Sequence, residues 1–233
     1  MCGRYVLVSP TEDLVRFFDA REAPGLTGRY EPSYNVAPTR QVLGVALSRR
    51  GDRVLDTYRW GLVPSWAKDP SIGNRLFNAR GESVASKPAF GSAFKHRRIV
   101  VPSDGFYEWQ KAPGGARRPF YFTRADGEPL AFAGLWEPWR DPARRDDPDA
   151  WIRTCTIITT GAGEDVVAFH DRMPVVLDRA AIDRWLDPDD AERDGLEGLL
   201  RPAPAGTLVV RAVDPRVGDA RNDTAELLAG PPR

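Results

Sequence analysis

Apolar and polar positions alternate along most of this chain in runs of five to eight residues, the period of half-buried strands, and only a few short stretches keep a helical period. Cys2 to Val8 reads as a first strand. Ser9-Pro10-Thr11-Glu12 has the form of a capping box, with proline at the first helical position, and predicts a short helix to about Asp19. Residues 20–40 are rich in Gly and Pro without a clear period and are expected as an ordered loop. Gln41 to Ser48 and Arg53 to Trp60 flank Arg50-Gly51-Asp52, a hairpin signal. After short helices ending near Phe94, strands are expected at Arg97 to Pro102, Gly105 to Gln110, Pro119 to Thr123, Leu130 to Trp136, Trp151 to Thr160 and Thr207 to Val213. Asp178 to Leu186 and Asp190 to Leu200 are helical by period, and the charged stretch Arg140 to Asp149 reads as a solvated insertion. Many short strands with helices set between them, and no regular βαβ alternation, predict an α+β fold with a mainly antiparallel sheet.

Composition narrows the classes. The chain has 233 residues, 42% of them hydrophobic, and 7 Trp, enough apolar area to bury a core and to exclude a wholly disordered chain; one domain over residues 1–233 is expected. No run approaches the roughly 18 apolar residues of a membrane span, and Met1-Cys2-Gly3-Arg4-Tyr5 opens no apolar leader, so a cytoplasmic protein without a membrane partner is expected. Cys2 and Cys155 are the only cysteines and His96 and His170 the only histidines, too scattered for a metal site or a disulfide framework; neither metal nor cofactor is expected.

Charge changes the picture. The formal net charge is zero, yet residues 1–120 carry 19 Lys and Arg against 11 Asp and Glu, and residues 121–233 carry 14 against 22. A local phosphate-binding face on the first half is compatible with this, and so is codon bias toward arginine.

Several residues could carry chemistry. A small second residue normally lets the initiator Met be removed, which would leave Cys2 with a free α-amine beside its thiol. Both groups titrate near neutrality, and together they can close an aldehyde into a thiazolidine. Glu108, among the aromatics of Gly105-Phe106-Tyr107-Glu108-Trp109, is placed for a raised pKa and acid/base work. His170, in Phe169-His170-Asp171-Arg172-Met173-Pro174, is a candidate proton shuttle on an irregular segment. Asn35, Asn78 and Arg80 offer donors to a sugar or phosphate, and Trp60 and Trp66 are candidates for base stacking. Each residue also has an ordinary reading: an incidental strand Cys, an exposed Glu, a surface His, turn-capping asparagines and core tryptophans.

Together, six motifs in order resemble the SOS response-associated peptidase (SRAP) family: Met1-Cys2-Gly3-Arg4, Tyr34-Asn35-Val36-Ala37-Pro38-Thr39, Trp60-Gly61-Leu62-Val63-Pro64, Asn78-Ala79-Arg80-Gly81-Glu82, the Glu108 segment and the His170 segment. The resemblance implies a barrel-like β-sheet with short flanking helices, and a sensor that cross-links to abasic sites in single-stranded DNA during the DNA damage (SOS) response. It implies Cys2 as nucleophile, Glu108 and His170 as proton-transfer groups, and Asn78 as the group orienting Cys2 or the opened sugar. Arg4, Asn35, Pro38, Trp60, Trp66, Arg80, Thr159 and Arg172 would line the DNA path. Because an imine acidifies the neighbouring sugar carbon, strand cleavage by β-elimination is an expected side activity; self-removal of Met1 is the minimal form of a peptidase reading, and a monomer suffices. Two other classes stay open: a cysteine peptidase or amidohydrolase indifferent to DNA, and a non-covalent reader of single-stranded DNA.

Overall fold

The computed structural model describes residues 2–111, 113–144, 146–147, 150–189 and 193–231. Its strands are β1 (Tyr5–Leu7), β2 (Arg21–Glu22), β3 (Ser33–Val36), β4 (Gln41–Leu47), β5 (Arg53–Trp60), β6 (Asn78–Arg80), β7 (Arg98–Ser103), β8 (Gly105–Lys111), β9 (Arg117–Arg124), β10 (Leu130–Arg140), β11 (Trp151–Gly161), β12 (Arg172–Pro174) and β13 (Leu208–Ala212). The helices are short: α1 (Thr11–Phe18), α2 (Gly91–His96), α3 (Arg179–Leu186) and α4 (Arg193–Glu197).

Antiparallel pairing runs β11-β10-β7-β4-β5, and a parallel contact of β5 with β11, Thr154 to Arg59 and Cys155 to Trp60, closes these five strands into a barrel. A second sheet, ordered β13-β9-β8-β1-β3, is antiparallel throughout. The expected α+β class with a mainly antiparallel, barrel-like sheet and short flanking helices is the observed one. An aromatic chain joins the two sheets: Trp60 meets Tyr5 at 5.3 Å between centroids, Tyr5 meets Phe132 at 6.2 Å, and Phe132 meets Phe106 at 6.0 Å. Edge-to-face aromatic contacts of this kind add to the burial of large apolar area. No helix among the described residues is long and apolar enough to cross a membrane.

Four local expectations are corrected. Pro10, not Ser9, caps α1, and it makes no side-chain cap, because Asp104 holds the Ser9 hydroxyl at 2.6 Å and accepts from the Val8 and Ser9 amides. The segment 20–40 is not all loop: β3 lies within it and pairs with β1. β6 and β12 were not anticipated; each is three residues long and exists because β11 supplies its hydrogen-bond partners. The helix expected at 190–200 is confined to Arg193–Glu197, with 190–192 outside the described residues.

Candidate active site

The site is assembled where the N-terminal end of β1 meets β6, β8 and the turn before β12. Cys2 precedes β1 and is fully buried. The segment after β5 must fold back sharply to bring Asn78 to it, and a pair of glycines permits this. Gly61 has φ of 134°, and a Cβ there would stand 2.6 Å from the Gly73 carbonyl oxygen. Any side chain would therefore force the two backbones apart. The return places β6 parallel to β11 and aims the Asn78 Nδ2 at the Cys2 carbonyl, to which it donates at 2.7 Å. Asn78 Oδ1 is buried and has no hydrogen-bond partner among the described residues.

Glu108 lies on β8 opposite Phe120 and is 2% exposed. Burial pushes its carboxyl up to about 7, since the charged form loses its hydration. His170 is held by Phe169, whose ring lies 4.6 Å from that of Phe120, and its Nε2 comes 4.0 Å from Glu108 Oε2. The Arg172 amide donates to His170 Nδ1 at 3.0 Å, and Asp171 Oδ1 lies 2.9 Å from the same nitrogen. Burial holds the imidazole below its ordinary pKa. The neutral form is thus favoured, and the Nε2 edge of the ring faces Glu108. At Cys2, burial pushes the thiol far up and the charge of Glu108 adds to the effect, so the thiol stays protonated at neutral pH.

Beside Asn78 runs an open groove lined by Trp66, Arg80, Lys87 and Phe90. Arg80 is exposed at the end of β6, and Trp66 is 60% exposed. Arg172 donates through Nη2 to the Thr159 carbonyl at 2.7 Å and grips Glu82 with both arms of its fork. That grip holds the Glu82 carboxyl below its usual range. Arg4 donates to Asn35 Oδ1 and to the Val217 carbonyl, both at 2.9 Å, and its guanidinium stands 6.0 Å from the Trp109 ring centre. Pro38 is half-buried in the turn between β3 and β4.

Three residues expected to line a DNA path are buried in the structure. Trp60 is fully buried, its indole N–H given to the Phe77 carbonyl at 2.7 Å, so it belongs to the core. Asn35 is 3% exposed and spends its amide on the carbonyls of Val217, Asp219 and Asn222. Thr159 is fully buried and reaches the surface only through Arg172. Their roles are to position Arg4 and Arg172 and to fill the interior. Conversely, Lys87 and Phe90 in the groove, Asp171 at the imidazole and Glu82 at Arg172 carried no assigned role in the sequence. Glu82 stands inside the Asn78-Ala79-Arg80-Gly81-Glu82 motif, the one sequence signal that could have pointed to it.

The two tryptophans therefore separate cleanly. Trp60→Ala is expected to cost about 3–5 kcal/mol of stability, the range for emptying a large aromatic site. Trp66→Ala, at an exposed side chain, should leave the thermal midpoint near that of the parent, and thermal denaturation of the two variants checks both.

Comparison with known proteins adds family context. The profile of the SOS response associated peptidase (SRAP) family matches residues 1–220. Abasic site processing protein YoaM of Bacillus subtilis is 38% identical over 228 residues, covering 98% of this chain and 97% of that protein. Abasic site processing protein YedK of Escherichia coli is 32% identical, with 98% and 99% covered. A crystal structure of a protein from Bacteroides thetaiotaomicron superposes with a TM-score of 0.85 at 19% identity, covering 98% of this chain and 99% of the other, and shares the fold.

Proposed function

Because the chain belongs to the SOS response associated peptidase family, we propose that it captures abasic sites in single-stranded DNA covalently, through Cys2. The observation that carries the reading is the convergence of four groups: the Cys2 backbone held by Asn78, and Glu108 and His170 facing each other beside it.

Removal of Met1 frees the Cys2 α-amine. That amine attacks the aldehyde carbon of the opened abasic sugar and forms a carbinolamine. Glu108, with a pKa near neutrality, takes the proton from the amine and returns one to the departing hydroxyl, so that one water leaves and an imine remains. The thiol then adds to the imine carbon, its proton passing to the nitrogen, and a thiazolidine closes. A thiol kept protonated by burial suits this order, in which the amine attacks first; a thiolate-first hydrolase would need the opposite shift. His170 presents Nε2 for proton exchange near Glu108 and the sugar oxygens. Asn78 Oδ1, which has no partner among the described residues, can accept a hydrogen bond from the freed amine or a sugar hydroxyl. Arg4, Arg80 and Arg172 are suited to phosphates, and Trp66 to a neighbouring base. An abasic nucleotide has no base to flip, so it enters without that cost. One copy of the chain carries every reacting group, and a monomer suffices.

The test is a denaturing gel. The Met1-free protein incubated with a single-stranded oligonucleotide carrying one abasic site should give a shifted band that survives denaturation, and an intact oligonucleotide should give none. Equal shifts with both, or no shift with either, would overturn the proposal.

A further inference from the structure

Of the tryptophans, only Trp66 and Trp151 are exposed, at 60% and 54%. They lie at the two ends of a continuous strip. Trp66 lines the groove beside Asn78 and also a second depression, with Lys68 and Arg140, in which Asp141 is the acidic lining side chain. Arg140 faces Trp151 across the β10–β11 ladder and stands 5.6 Å from its ring centre. Beyond Trp151 a third depression is lined by Arg29 and Arg153, both about half exposed, which share the single buried carboxylate of Asp56 and so keep an excess of positive charge. The strip is built on a firm base. Val63, Ala67 and Trp139 form a small core of their own beneath it, and the Trp139 indole donates to the Ala67 carbonyl at 2.7 Å, fixing the loop that carries Trp66 and Lys68 to β10.

We infer that this strip, from Trp66 over Lys68 and Arg140 to Trp151, is a second binding track that takes the single-stranded DNA on one side of the captured nucleotide. The inference rests on the reading that DNA occupies the groove beside Asn78, with which the track is continuous. Exposed aromatics interleaved with arginines are what unstacked bases and a phosphate backbone require, and a duplex offers no free base faces to a tryptophan. Trp151 is six residues along β11 from Ile157, the register partner of Asn78, on the order of 20 Å at a strand's rise per residue. That span corresponds to on the order of six nucleotides.

Single strands carrying the tetrahydrofuran abasic analogue test this directly, because the analogue sets the register and lacks the aldehyde, so binding is read without cross-linking. A short strand is compared with strands extended by about six nucleotides on the 5′ side alone or the 3′ side alone. The track requires that one extension tighten binding about tenfold or more, and that Trp151→Ala remove most of the gain, about 5- to 100-fold. Arg140→Ala should lower the slope of log affinity against log salt for that strand by about 0.7. Equal affinity for short and extended strands, or an undiminished gain in Trp151→Ala, would overturn the inference. Capture of a short aldehyde-bearing strand is scored separately: its absence defeats the proposed function and leaves the length dependence readable.

Discussion

Cys2→Ala is expected to lose the denaturation-stable adduct completely, down to the level of the intact-oligonucleotide control, while still meeting the abasic site. Cys2 contributes two groups, and the substitution removes only one. With Met1 gone, the alanine variant keeps an α-amine in the place where Asn78 holds the residue-2 carbonyl. It can form the imine and cannot close the ring. The imine makes the adjacent sugar carbon more acidic, so the variant should nick the strand by β-elimination more than the parent does, and borohydride should trap a reduced adduct. A gel run with and without borohydride separates these outcomes. A variant that gives the parent's unreduced adduct would show that the thiol is not part of the bond.

The second large effect belongs to Glu108. Glu108→Gln keeps the shape of the side chain and removes the carboxylate that moves protons, so single-turnover capture should slow by about 10²- to 10⁴-fold. With the carboxyl pushed up to about 7, the parent's rate should rise with pH through that value as the carboxylate forms, and this inflection should vanish in the variant. Stability should move the other way. An unfolded Glu ionises near 4.5, whereas the buried one holds its proton to about 7. Between these values the native state binds more protons than the unfolded state, so the parent loses stability as pH rises, by about 3 kcal/mol once both limits are passed. Glu108→Gln does not titrate and escapes that loss. It should melt above the parent at pH 8, with the advantage shrinking at pH 4.5, as calorimetry at the two pH values would read. An unchanged pH profile of capture would remove Glu108 from the proton path.

The parts of this molecule legible in its sequence are those whose signal is local. β4 and β5 announce themselves by a turn signal between two β-rich runs, and β7 to β11 by apolar runs bounded by Gly and Pro. β3, β6 and β12 have three or four residues each, too few to display a period, and are strands because β1 and β11 lie beside them. The site divides in the same way. Cys2, Glu108 and His170 stood out through their immediate neighbours, and the 4.0 Å approach of His170 to Glu108 spans 62 positions that no local pattern links. Burial of Asn35 by carbonyls of residues 217–222 is equally long-range, and for that reason an asparagine taken for a DNA contact proves to be an internal strut for Arg4. Trp60 and Trp66, six residues apart, read alike until the pairing of Trp60 with Cys155 turns one inward and leaves the other in solvent.

The most direct test of the account is the mass and position of the adduct. Met1-free protein cross-linked to a short abasic-site strand, digested and sequenced by mass spectrometry, should carry the DNA on its N-terminal peptide at Cys2. The mass should be the sum of the partners less one water and should not change with borohydride, because a thiazolidine has no C=N bond to reduce. An adduct on another residue, or one on Cys2 that gains two hydrogens, would contradict the account.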